Sequence, residues 1–395
     1  MALPFLSRWS RRQALGSLGA AGVLGGLGWT FGRSATTPEA APLDLGPPGA
    51  RPPADHYAGL SLAHVHRRGY GYGSDRCRAE LARIAGLGAN AVSLMPFGYV
   101  PALDSVEIRY GGDGSLTDDD LCQAVTDAHA LGLKVCIKPH LWSRAFWRGD
   151  ASPQSLDASN APGGWAAWFD YYGAFAAHFA VVAESVGAEL LCVGLELTAA
   201  TLANPGAWAQ VAARCRAVYK GKLTYGANWW EEAEGFHDWD AFDYIGVNAY
   251  YPISTAPDPT LSQLTSGWQA PLAKLAALST RSGRPVLFTE AGFRSVRGAA
   301  ANPWDQNGSG SDDPALQARA VAGLLAAIAS QPWLDGVFLW KWFTDGGMED
   351  EDAYDLRGGP AESAIARAWG GAAGGSADLD GDAARRYIGG TNKVP

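Results

Sequence analysis

From Tyr57 onward the chain alternates between two hydrophobic patterns. Short runs that are apolar at nearly every position, rich in Val, Leu, Ile and Phe, read as strands covered on both faces. They fall at Tyr57–His64, Ala89–Phe97, Leu133–Trp142, Ala188–Thr198, Lys222–Trp229, Phe242–Tyr251, Pro285–Phe293 and Gly336–Phe343. Between them apolar positions recur at helical spacing. Over Ser74–Gly88, Cys77, Leu81, Ile84 and Leu87 share one face, with a serine to cap the start and a glycine to end it. Thr117–Gly132 opens on Thr117-Asp118-Asp119-Asp120, a cap followed by acids that suit the positive end of a helix dipole. Trp165–Gly187, Pro205–Gly221, Leu261–Gly283, Pro314–Ser330 and Glu362–Trp369 continue the series, whereas Trp230–Ala241 has room for a small helix only.

Repeated strand–helix units build a parallel sheet, open or closed. Eight strands in succession, with no phosphate-binding glycine turn after the first, favour an α/β fold closed into a (β/α)8 TIM barrel, one catalytic domain over residues 55–371. The glycine-rich stretch Arg68–Gly73 lacks both the spacing and the lysine of a phosphate cradle and reads as a loop.

The flanks carry other signals. Ser10-Arg11-Arg12-Gln13-Ala14-Leu15 precedes the small, apolar stretch Gly16–Trp29, so residues 1–33 resemble a twin-arginine-type export signal. That signal implies a periplasmic or extracellular protein. No Ala-x-Ala cleavage site stands near Gly32–Thr37, so an uncleaved N-terminal membrane anchor is the second reading. Residues 34–54 are proline-rich and read as a linker, and residues 372–395 as a flexible polar tail. Within that tail Asp378-x-Asp380-Gly381-Asp382 begins like a calcium loop, but Gly389 stands where the closing glutamate belongs.

A net charge of −9 with no basic stripe argues against nucleic acid and against polyanionic substrates. Sixteen Trp, 14 Tyr and 13 Phe, many near strand ends, offer flat apolar rings to the flat faces of sugars and favour a polysaccharide or oligosaccharide partner. The five cysteines are odd in number and form no CxxC pair, which predicts buried free thiols. No metal, cofactor or partner subunit is called for, and a monomer is expected.

The chemistry concentrates at two strand ends. Ala188–Thr198 carries Glu196 and Pro285–Phe293 carries Glu290, each the one ionisable group near the C-terminal tip of an apolar strand. Barrel enzymes keep their reacting groups at that end. Two carboxyl groups across one mouth are the minimal equipment for glycoside hydrolysis. By count Glu196 ends the fourth strand and Glu290 the seventh, an arrangement that resembles the large clan of retaining glycosidases. Within it, Val193-Gly194-Leu195-Glu196-Leu197-Thr198, Phe288-Thr289-Glu290-Ala291-Gly292-Phe293 and Leu339-Trp340-Lys341-Trp342-Phe343 resemble glycoside hydrolase family 113, the β-mannanases, over roughly Tyr57–Trp369.

The resemblance implies that Glu290 is the nucleophile and Glu196 the acid/base of a double displacement on a neutral β-linked polysaccharide, with β-1,4-mannan the specific expectation. Double displacement places the carboxyl groups about 5–5.5 Å apart. Glucan, xylan or a cell-wall polymer is the alternative substrate, and a barrel that binds sugar without turnover the alternative function. Most of the clan has asparagine just before the acid/base to meet the sugar 2-hydroxyl; this chain has Leu195. Asn228 and Asn248 are the replacements to consider. Tyr250 or Tyr251 is positioned to donate to Glu290, and Trp340 to floor the cleavage subsite. His64, His140, Trp142 and Trp229 complete the expected sugar contacts, with Trp147 and Trp230 as further strand-end rings. Lys138 and Lys341 carry cations whose direction the strand pattern leaves open.

Overall fold

The computed structural model describes residues 43–112, 116–144, 153–306, 308–345 and 353–372. The expected export segment, Trp147, the acidic run Glu349–Asp352 and the tail beyond residue 372 lie outside the described residues. Eight parallel strands close into a barrel: β1 (Tyr57–Ala63), β2 (Ala91–Leu94), β4 (Lys134–Ile137), β6 (Leu190–Leu195), β7 (Lys222–Asn228), β8 (Ile245–Asn248), β9 (Val286–Ala291) and β10 (Leu334–Phe343), which pairs back onto β1. Helices pack around the outside. The expected (β/α)8 TIM barrel is the fold.

Strand alternation divides the apolar residues into two cores. One phase points into the barrel, where Tyr57, Ala91, Cys136, Leu190, Cys192, Tyr244, Leu287 and Phe338 form a compact cluster. The other phase, such as Leu60, Val92, Val135, Leu191, Leu223 and Val247, meets the helices in a much larger core. Both faces are therefore dry, which is why the strands read as continuous apolar runs. Much of the aromatic content belongs to the outer core: Trp168, Trp208, Trp268 and Trp342 are fully buried.

Several elements differ from the pattern-based reading. The runs Ala89–Phe97 and Leu133–Trp142 each split in two, and their distal parts, β3 (Phe97–Tyr99) and β5 (His140–Trp142), form a separate parallel pair beyond the ends of β2 and β4. Both interruptions fall at a proline, Pro96 and Pro139, which has no backbone N–H to extend a ladder. The expected helix over Leu261–Gly283 breaks into Leu261–Gly267 and Gln269–Ser282, because Pro271 has no N–H for the carbonyl of Gly267. The helix expected over Pro205–Gly221 is present as Ala207–Arg216, and a short additional one, Thr198–Ala203, begins where the fourth apolar run was expected to end. The described end of the expected linker is docked: Leu43 and Leu45 pack on the outer core, and the N–H of Gly49 donates to the carbonyl of Arg367 at 2.9 Å. Two leucines give that segment apolar surface to bury, so its prolines do not leave it free.

Gly59 in β1 shows how tightly the inner core is filled. A Cβ there would lie 2.4 Å from the ring of Phe338, itself 1% exposed. Gly59→Ala is expected to destabilise the protein by about 1–3 kcal/mol through overpacking, read as a lower urea midpoint with unchanged slope. A midpoint equal to that of the unaltered protein would show that the inner cluster has slack.

Candidate active site

Regular alternation alone would not turn both glutamates into the barrel mouth. Between Val247 and Asn248 of β8 the partner strand β9 advances from Phe288 to Glu290, one residue more than β8. Such an irregularity re-aims the side chains that follow it. Thr289, in phase with Leu287, points inward and donates from Oγ1 to Asn248 Oδ1 at 2.8 Å. Glu290 then faces the interior as well. In β6 the same kind of slip lies between Cys192 and Leu195 opposite β7, immediately ahead of Glu196. Glu196 itself has φ of 53°, the one non-glycine residue with positive φ among those described. Its N–H is held by the carbonyl of Gly226 at 2.9 Å.

The two carboxyl groups sit on one cavity of about 510 Å³ but in different surroundings. Glu290 is buried, and its Oε1 accepts from Nζ of Lys138 at 2.6 Å while Oε2 accepts from the Tyr250 hydroxyl at 2.7 Å. Lys138 is completely buried and also donates to the carbonyl of Thr289 at 3.2 Å. It lies in phase with Cys136, so its cation points into the barrel and supplies the counter-charge that a buried carboxylate needs. Among the described residues no cation forms an ion pair with Glu196. Its Oε1 accepts one hydrogen bond, from Nδ2 of Asn248 at 3.0 Å. Removal from water, and then the negative charge of Glu290, push its pKa up to about 7, against the pull of the Asn248 amide. One acid is thus paired with a cation, and the other is poised to hold a proton near neutrality.

The other sequence-selected residues divide into three groups. Asn228, Trp229, Tyr250 and Trp340 line the cavity together with the glutamates, as does Trp230. Asn228 Oδ1 is buried without a hydrogen-bond partner among the described residues. His140 and Asn248 stand behind the lining. The His140 ring stacks on Trp340 at 6.0 Å with Nε2 at 3.9 Å from Glu290, and burial, then Lys138 and Lys341, keep it far below the usual histidine pKa and hence neutral. Asn248 is fully buried, with Nδ2 given to Glu196 and Oδ1 accepting from Thr289, so it holds the acid in place.

His64, Trp142 and Tyr251 are brought elsewhere. The His64 Nδ1 accepts from the N–H of Tyr72 at 3.1 Å and fixes the glycine-rich loop, where a Cβ on Gly71 would strike its ring. Trp142 lies on β5, carried beyond the barrel by the break at Pro139, and packs edge-on against Tyr99 at 5.7 Å. Tyr251 packs into Trp268 of the outer core and against the cavity-lining Trp229.

Other lining residues carried no signal in the pattern. Trp304, Gln306, Gln154 and Tyr354 reach the cavity from the long connections. A further acid, Glu232, is fully buried behind the lining. Its Oε1 accepts from Thr201 Oγ1 and from the Tyr225 hydroxyl, both at 2.7 Å, and its Oε2 from the N–H of Asn228 at 2.8 Å and from Thr198 Oγ1 at 3.1 Å. In the sequence it sits within Glu231-Glu232-Ala233-Glu234, which looks like a solvated helix start.

The model of Glycoside Hydrolase Family 113 matches residues 60–357. The chain is similar to the GH113 β-mannanase of Alicyclobacillus acidocaldarius solved in complex with ManMIm, at 32% identity and TM-score 0.68, covering 80% of this chain and 97% of that one. It is also similar to a GH113 β-1,4-mannanase solved as a complex, at 25% identity and TM-score 0.70, covering 80% of this chain and 99% of that one. A GH5_18 variant from Streptomyces cattleya, at 13% identity and TM-score 0.52 over 79% of this chain and 80% of that one, shares the fold alone. No curated protein matches the chain.

The buried ion pair generates a stability test. Lys138→Met would leave Glu290 without its cation and is expected to cost about 3–5 kcal/mol in urea unfolding, whereas combining it with Glu290→Gln should restore much of the loss. Strict additivity of the two substitutions would mean that Lys138 and Glu290 do not depend on each other.

Proposed function

The chain belongs to glycoside hydrolase family 113, and from that premise we propose that it is a retaining, endo-β-1,4-mannanase-like enzyme acting on neutral β-linked polysaccharide. The observation that carries this reading is the electrostatic asymmetry of two acids on one cavity. Retaining hydrolysis asks for one carboxylate that is already charged and one carboxylic acid that still holds a proton. Glu290, paired with Lys138 and Tyr250, suits the first role, and Glu196, with its pKa raised to about 7, suits the second.

In the first step Glu290 attacks the anomeric carbon and Glu196 protonates the departing glycosidic oxygen, giving a glycosyl-enzyme intermediate. In the second, Glu196 takes a proton from water, and the water oxygen displaces Glu290 from the sugar. Lys138 and Tyr250 each hold one oxygen of Glu290, so the carboxylate is oriented before substrate arrives. Trp340, braced by His140, offers a flat face to the ring being cleaved, and Trp229, Trp230 and Trp304 extend the aromatic surface. Asn228, which lines the cavity and whose Oδ1 has no partner among the described residues, takes a polar sugar contact. β-1,4-Mannan is the substrate favoured by the two family 113 relatives named as β-mannanases. The N-terminal segment 1–33, with its paired arginines, would export a monomeric enzyme to the periplasm or the medium.

Glu290→Ala is expected to lose turnover and to regain part of it in azide, releasing a glycosyl azide of inverted anomeric configuration; full activity without azide removes Glu290 from the nucleophile role. Across a panel of mannan, glucan and xylan, mannan should give the highest kcat/KM, and no cleavage of any would favour a sugar-binding barrel. The sign of the pH dependence is also set. Glu196 must be protonated to assist the leaving group, so kcat/KM on polymer should fall as pH rises through about 7. In Glu196→Gln that limb should vanish, and substrates with poor leaving groups should lose far more rate than activated aryl glycosides.

A further inference from the structure

We propose that Glu232 is a positioning residue for Glu196: its buried carboxylate ties the turn that follows Glu196 to the end of β7, and so holds Glu196 aimed at the cavity. This deepens the function proposed above and rests on Glu196 being the acid/base.

Glu196 adopts φ of 53°, a conformation that costs a side-chain-bearing residue free energy and persists only when the surroundings enforce it. The enforcement comes from both sides. The N–H of Glu196 is held by Gly226 in β7, and the next N–H, that of Leu197, donates to the Tyr225 hydroxyl at 2.8 Å. That hydroxyl in turn donates to Glu232. The following residues Thr198 and Thr201 give their hydroxyl groups to the same carboxylate, which also accepts the N–H of Asn228. One carboxyl group therefore gathers two segments that must stay in register for Glu196 and Asn228 to share a sugar.

An ionised acceptor makes stronger hydrogen bonds than a neutral one, which explains an acid at a position where four donors converge. Burial raises the Glu232 pKa, while its four hydrogen-bond donors offset part of that penalty. Its negative charge also adds to the effect of Glu290 on Glu196, favouring retention of the proton there.

Two substitutions separate charge from geometry. In Glu232→Gln the amide nitrogen can replace Oε1, where both facing hydroxyl groups are able to turn and accept, while the remaining oxygen still meets the Asn228 N–H. The tie survives and the charge is lost, so the alkaline limb of kcat/KM should move to lower pH with KM little changed. Tyr225→Phe keeps the charge and cuts the link to Leu197. It should lower kcat/KM on polymer by about 10- to 100-fold, the size of effect that a misaimed acid produces, and spare activated aryl glycosides. If Glu232→Gln does not fold, Tyr225→Phe alone decides. Wild-type pH limb in the first and wild-type leaving-group dependence in the second would overturn the proposal. Glu196→Gln measured alongside distinguishes the two failures. Equal loss on good and poor leaving groups there ends the acid/base assignment itself, whereas a selective loss there with unaffected Glu232→Gln and Tyr225→Phe ends only the role of Glu232.

Discussion

The contact between Lys138 and Glu290 is the constraint on which the mouth of this barrel depends. A completely buried ammonium group is costly to remove from water, and it is tolerated only because a carboxylate lies 2.6 Å away. The same pair sets the difference between the two acids. Glu290 has its partner inside the protein, so its charge is satisfied before any ligand arrives. Glu196 meets that charge without a cation of its own, and loses water as well. Of two chemically identical side chains, one is paired with an ammonium group and the other is inclined by its surroundings to keep its proton.

That difference needs side chains placed with more freedom than a regular strand gives. A strict two-residue alternation would send Thr289 and Glu290 to opposite faces. The slip in β9 lets both contribute to the mouth, Thr289 by fixing the Asn248 amide and Glu290 by joining Lys138. In β6 the slip is followed by a backbone conformation that few residues accept. Two of the barrel's register irregularities thus lie directly ahead of Glu196 and Glu290.

The barrel was legible because its strands are dry on both sides and its helices carry clear start and stop residues. The positions of Glu196 and Glu290 at strand ends were legible for the same reason. What sequence pattern could not supply was phase. Tyr250 and Tyr251 are neighbours of equal chemistry, and only the backbone turns one to Glu290 and the other to Trp268. Asn228 and Asn248 look alike as strand-end amides, yet one joins Glu196 to Thr289 while the oxygen of the other has no partner among the described residues. Lys138 pointed nowhere in particular until Cys136 fixed the inward face. The prolines that carry Trp142 away were visible, but a proline inside an apolar run marks a break without saying where the chain goes next. Glu232 was hidden by its company, since two neighbouring glutamates gave it the look of a surface residue.

The aromatic wall has a thermodynamic consequence. Trp230 and Trp304 come from separate connections and are 49% and 44% exposed, and Trp229 lies 5.3 Å from Trp304, centroid to centroid. These rings keep apolar area in contact with solvent. Any saccharide laid across them returns that area to a dry environment, so its association carries a negative heat-capacity change and an enthalpy that grows more favourable on warming.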